Sequence, residues 1–281
     1  MTAILYDVPG PRARRRNGLI GAGATTAMAA VAVWVVYRFY VTGQLEPLKW
    51  EQFLYASVQR EIVGGVLSTL KAASMSAVLA LSLGLALAAG RRSDHALLRA
   101  PSVVLVELFR AVPLLILMFF VYYGPKSFGV QLDPIWAVVV GLTLYNGAVL
   151  AEILRAGLGA VPRGQAEAAL ALGLRKGQVL RLILLPQAVR AMAPSIVSQL
   201  VVLLKDTALG FIVTYPELLH VGKQIGGRLA YDLPFVPAYV VVAAIYISLC
   251  SILSVLAHRL DRRASADARA AKARRAAAGA G

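Results

Sequence analysis

The sequence predicts an all-α integral membrane protein, and three observations predict it. Of its 281 residues, 59% are hydrophobic and 15% charged, against about a quarter charged in soluble domains, and the mean hydropathy is +0.70. Apolar stretches recur at the roughly 20-residue length that a helix needs to cross a bilayer core. Basic residues gather on alternate connections between those stretches, as the positive-inside rule requires. The formal charge of +15 is therefore assigned to anionic lipid and not to nucleic acid.

Six stretches qualify as spans. The first, Leu19 to Val41, follows Arg12, Arg14, Arg15 and Arg16. It is longer than the roughly 7–15 apolar residues of a signal-peptide core, and no small-residue cleavage site precedes Gln44–Lys49, so a retained anchor is expected. The second runs from Ile62 to Ala89, the third from Pro101 to Tyr123 and the fourth from Pro134 to about Leu154. The fifth, about Ala191 to Val213, contains Lys205 and Asp206, and the sixth is Phe235 to Ala257. Residues 1–61 thus form a basic start, one helix and an outer segment, and residues 62–260 form the main body. Residues 261–281 are Ala/Arg-rich without apolar period, the composition of a poorly ordered tail near lipid headgroups.

With six spans, Arg12–Arg16, Arg91, Arg92, Arg99, the stretch Arg155–Arg190 and the tail share one side. The other side mixes Lys49, Arg60, Lys126, Lys223 and Arg228 with Glu46, Glu51, Glu61, Asp133, Glu217 and Asp232. The charge bias places both termini in the cytoplasm.

The connection between spans four and five, residues 156–190, is unusually long and helix-forming. Ala168, Leu172 and Arg175 follow the i, i+4, i+7 spacing of one helix face. Gly173 is expected to bend the chain between two short helices, the second running from Gln178 to Leu185 and stopping where Pro186 enters. Taken alone, such a segment reads as a surface connector. Its signature is more particular: Glu167-Ala168-Ala169, three residues, Gly173, nine residues, Ile183, one residue, Leu185-Pro186.

That spacing resembles the EAA loop of permease subunits from ATP-binding-cassette importers. Further phrases are similar to the polar amino-acid branch: Glu107-Leu108-Phe109-Arg110-Ala111-Val112-Pro113-Leu114, Leu142-Thr143-Leu144-Tyr145-Asn146, Ala151-Glu152-Ile153-Leu154-Arg155 and Leu204-Lys205-Asp206-Thr207. The opening Leu5-Tyr6-Asp7-Val8-Pro9-Gly10-Pro11-Arg12 is similar to actinobacterial glutamate permeases, which also carry an extra first span. The resemblance implies a five-helix type I importer core with one added N-terminal helix, in a bacterial cell membrane. It implies L-glutamate as cargo, with glutamine, aspartate or a basic amino acid as alternatives. It also implies three kinds of partner: a cytoplasmic ATPase dimer holding ATP and Mg, a second permease subunit and an extracytoplasmic amino-acid-binding protein. In that reading Glu167, Ala168, Ala169, Gly173, Ile183, Leu185 and Pro186 dock the ATPase, with Glu167 and Gly173 the most sensitive.

Polar groups inside spans mark the candidate substrate path, because they are costly in lipid and face cavities or partners. Gln199 and Asp206 lie seven residues apart and face nearly the same way, with Lys205 turned about 100° away. Asn146 in span four joins them, with interhelical hydrogen bonding as its alternative role, and mutual neutralisation as that of Lys205 and Asp206. Glu107 with Arg110, and Glu152 with Arg155, read as anchoring pairs at the membrane edge.

No catalytic or metal set is expected. Cys250 is the one cysteine and His95, His220 and His258 are scattered. No Gly-x-x-x-x-Gly-Lys-[Ser/Thr] phosphate loop occurs, so ATP falls to a partner. An ion-coupled secondary transporter remains as a reading of another class, but no inverted halves are visible. A membrane enzyme lacks its nucleophile–base pair.

Overall fold

The computed structural model describes the backbone of residues 10–278 and the side chains of residues 10–256. The opening match Leu5–Pro9 lies outside the described residues. Among those described the chain is helical and contains no strand. In order, the helices are α1 (Pro11–Val41), α2 (Pro47–Glu51), α3 (Ala56–Arg91), α4 (Ala96–Ala111), α5 (Leu114–Tyr123) and α6 (Pro134–Ala160). They continue with α7 (Arg163–Ala171), α8 (Lys176–Gln178), α9 (Leu185–Asp206), α10 (Leu218–Gly226) and α11 (Phe235–Ala278).

Among the described residues, five helical stretches are long and apolar enough to cross a membrane: Pro11–Val41, Ala56–Arg91, Pro134–Ala160, Lys176–Val213 and Phe235–Leu256. The third expected span is not a single straight helix. It is a pair, Ala96–Ala111 and Leu114–Phe128, bent by 101°. The cause is Pro113, which disfavours helical backbone at the preceding residue; Val112 is extended at φ −82° and ψ 127°. The halves also differ in chemistry. α5 is apolar throughout, while α4 is amphipathic and exposes Leu97, Val104 and Leu108 along one face.

α6 is the hub. Small residues let α3 lie close against it: Ala72, Ala73, Ser76, Ala80, Gly84 and Ala88 are buried along one face of α3. A β-carbon at Gly84 would sit 2.9 Å from Leu150 and 3.1 Å from the Gly147 carbonyl, so the approach depends on the missing side chain. Met118 of α5 packs on Gly141, and Leu203 and Leu204 of α9 complete the cluster. α1 stands apart, with no buried residue. Its link to the body is α2, where Lys49 is only 3% exposed and reaches Asp232 at 2.8 Å.

The tail beyond residue 260 continues as backbone helix to Ala278, in keeping with the high helix propensity of Ala, Arg and Lys. Glu217, read as an exposed outer charge, is fully buried. Its carboxylate accepts from the backbone N–H of Leu219 and His220 and from the Tyr246 hydroxyl, each at 2.7 Å. It thereby caps α10 and ties it to α11, while the Leu218 N–H donates to Thr69 of α3 at 3.1 Å.

Candidate functional site

The segment between α6 and α9 is a helix, a turn and a helix presented at the arginine-rich end of the bundle. α7 begins after Pro162 and ends at Ala171, where the Leu172 N–H still bonds the Ala168 carbonyl at 3.2 Å. Gly173 then adopts φ +81°, a left-handed conformation that costs other residues about 1–2 kcal/mol. The Gly173 and Leu174 N–H groups close the turn onto Leu170 and Ala169 carbonyls. The bend expected at Gly173 is therefore present. The shared face of Ala168, Leu172 and Arg175 is not, because Leu172 ends one helix and Arg175 starts the next.

The second piece also departs from expectation. α8 passes through a π-helical turn, Val179–Leu184, directly into α9. Pro186 does not stop it. Pro186 enters directly after the π-helical turn Val179–Leu184, where the regular i→i−4 ladder is already interrupted and the missing N–H is accommodated. The piece after the Gly173 turn and span five thus form one continuous helical stretch from Lys176.

Within the signature, Ala169 is buried at 5% exposure, whereas Glu167, Ala168, Gly173 and Pro186 are exposed and Ile183 and Leu185 are half-buried. Ala169 packs with Val179, Leu184 and Ala188, so the small residue holds α7 against the following helix. Glu167 makes no ion pair among the described residues and is free to meet another chain. The Gln187 amide donates to Gln165 at 3.4 Å and to the Ile183 carbonyl at 2.9 Å, adding a polar tie.

The polar groups of the spans separate into two sets. Gln199 donates to Asn146 at 2.8 Å, and Asn146 donates to the Leu142 carbonyl at 3.0 Å. Asn146 is fully buried; in this chain it works between helices. Lys205 is exposed and Asp206 half-buried, and neither forms a direct ion pair among the described residues. Sequence reasoning missed Ser195 and Ser198, which are exposed on the same side of α9 as Lys205. Their signal was the i, i+3, i+10 spacing of polar residues along an apolar helix.

At the arginine-rich end, Glu152 gathers three guanidinium groups. Arg91 contacts it at 2.9 Å, Arg110 lies at 4.0 Å and Arg155 binds through two nitrogens. Glu107 pairs with Arg91 at 3.4 Å and not with Arg110, which corrects one anchoring pair and leaves Glu152–Arg155 in place. Charges on α3, α4 and α6 are so brought to one point. A separate cavity of about 410 Å³ lies between α3, α9 and α11, lined by Leu70, Ala77, Leu200, Leu204, Leu249 and Leu253 among others. It is apolar and cannot stabilise a zwitterion.

A polytopic helical bundle with an exposed helix–turn–helix at one end and polar groups along one span has the build of a membrane-embedded component of a transport system. The chain belongs to the family described as binding-protein-dependent transport system inner membrane component, which matches residues 49–266; α1 precedes the match. It is 44% identical, over 79% of its length and 81% of the relative's, to the glutamate transport system permease protein GluD of Corynebacterium glutamicum. It is 38% identical to the probable glutamine ABC transporter permease protein GlnP of Bacillus subtilis, over 71% of this chain and 91% of that one. Among solved structures, a crystal structure of an amino acid ABC transporter with histidines superposes with TM-score 0.69 at 27% identity, covering 76% of this chain and 98% of that chain.

Proposed function

We propose that this chain is a permease subunit of an ATP-driven importer of polar amino acids, with L-glutamate as the main cargo. The observation that carries the reading is the exposed helix α7 with its left-handed Gly173 turn, which bears the EAA spacing at every defining residue. Glutamate is supported by the 44% identical relative named as a glutamate permease; the relative named for glutamine keeps that amino acid as the nearest alternative.

In this reading α7 and the turn dock on a cytoplasmic ATPase dimer, which binds ATP and Mg. Movement passes into α9 because the helix is continuous beyond the turn. Ser195, Ser198 and Lys205 form an exposed polar face that lipid cannot satisfy, so that face meets the second permease subunit and the water-filled path between them. The Lys205 ammonium supplies a positive charge for a cargo carboxylate where the dielectric is low. An extracytoplasmic binding protein delivers the cargo at the opposite end. Both termini lie in the cytoplasm of a bacterial cell.

Uptake of labelled L-glutamate by a strain lacking the gene, with and without the restored chain, tests the function. Competition by unlabelled glutamate, stronger than by glutamine, aspartate or arginine, is the expected result. Restored uptake of arginine alone, or uptake without ATP, overturns it. A reporter fused after Arg263 should be active on the cytoplasmic side only.

A further inference from the structure

A cleft of about 390 Å³ opens beside the coupling helix. One wall is α7, through Ala166 and Leu170; another is the start of the following helix, through Lys176, Gly177 and Leu180; the third is the turn between α3 and α4, through Arg92 and Asp94. Lys176 and Asp94 meet across it at 3.2 Å, although their side chains are 83% and 80% exposed. So exposed an ion pair contributes little stability. Its effect is to keep two segments 82 residues apart in sequence on one surface.

The chemistry of that surface is uneven. Arg92, Arg175, Lys176 and Arg181 are exposed around it, against Asp94 and Glu167. Apolar side chains break the charge: Leu170 is 48% exposed and Leu172, at the tip of the turn, 83%. An apolar centre inside a basic rim complements an acidic rim around apolar surface, an arrangement that steers and registers protein partners. We propose that this cleft is a second contact for the ATPase, receiving an acidic side chain backed by apolar surface. Docking then engages the Arg92–His95 turn together with the coupling helix. The proposal rests on the reading of α7 as the ATPase-docking element.

The competing occupant is an anionic lipid headgroup, which the same cations would attract. Three features favour the protein. The cleft is walled on three sides, it has leucine at its base, and it adjoins the element that meets the ATPase.

The test uses the full permease pair in nanodiscs of phosphatidylcholine, titrated with the purified ATPase. Arg92→Glu with Lys176→Glu should weaken binding by about tenfold or more and flatten its salt dependence. Asp94→Asn removes the competing carboxylate and should tighten binding, which a merely structural ion pair would not do. If the double reversal does not assemble, Arg92→Gln with Lys176→Gln replaces it. Leu172→Asp separates the two claims. If it abolishes binding while the charge variants bind like wild type, the coupling element stands and the cleft proposal falls. If neither has an effect, the docking reading itself falls. An effect of the charge variants seen only in nanodiscs containing phosphatidylglycerol assigns the cleft to lipid and overturns the proposal.

Discussion

The Gln199 amide nitrogen donates to the Asn146 amide oxygen at 2.8 Å, joining α9 to α6 at the middle of the bundle. The Asn146 amide nitrogen is turned towards the Leu142 carbonyl, to which it donates, so it presents its oxygen to Gln199, which is half-buried. Replacing it with Glu sets a carboxylate against the Asn146 oxygen unless that amide turns over and abandons Leu142. Glutamate uptake by Gln199→Glu should fall by about tenfold or more, equivalent to about 1.4 kcal/mol, at matched membrane levels. Unchanged uptake would show that the α6–α9 tie through Gln199 and Asn146 is not needed for transport.

Gly173 separates backbone from charge. A β-carbon there meets nothing within 4 Å, so only the φ of +81° penalises substitution. Asn visits that region more readily than other residues, and β-branched residues rarely do. Gly173→Asn should retain coupled ATP hydrolysis, whereas Gly173→Val should lose most of it while still inserting. Gly173→Asp keeps the turn and places an anion at the docking surface. Uncoupling in Asp but not in Asn would identify charge as the cause.

Glu217 caps α10 from a fully buried position. Glu217→Ala leaves two backbone donors and the Tyr246 hydroxyl without an acceptor, a loss of about 2–4 kcal/mol. Thermal unfolding of the purified chain in detergent should show a clear drop in Tm. Tyr246→Phe removes one of the three bonds and should cost less. Equal losses would mean that the cap itself contributes nothing.

Glu152 neutralises Arg91, which is only 13% exposed. Glu152→Gln should destabilise by about 1–2 kcal/mol, less than for a buried pair because Arg155 is half exposed to solvent. The loss should shrink in Arg91→Met with Glu152→Gln, where no cation is stranded. An additive double variant would show that the pair is not coupled.

The spans and their order were legible because a helix in lipid must be apolar for about 20 residues, a signal independent of tertiary context. The turn after α7 was legible because a glycine, Gly173, follows a short helix-forming run and can take the left-handed backbone. Breaks and continuities were harder. Pro113 and Pro186 carry the same chemistry, yet one splits span three and the other rides inside a continuous helix just after a π turn. The outcome depends on the local backbone, which neighbouring packing decides. Buried polar contacts were least visible. Pro216-Glu217 ahead of Leu218-Leu219 is a helix-start pattern, but only the approach of Tyr246 and Thr69 shows it to be internal.

The unbroken run from Lys176 to Asp206 behaves as a crank. At about 1.5 Å per residue its 31 residues measure roughly 46 Å, so a swing of about 10° about one end carries the other through about 8 Å. A stiff crank would deliver all of that to the polar face of α9. This one has two soft places: the π turn Val179–Leu184 and Pro194 inside α9, whose missing N–H removes one rung of the ladder. Between them the shaft keeps its regular ladder and is the stiffer part, and it can bend at the two soft places themselves. If α7 is pushed as proposed, the displacement that reaches Gln199 and Lys205 depends as much on the compliance at Pro194 as on the turn at Gly173.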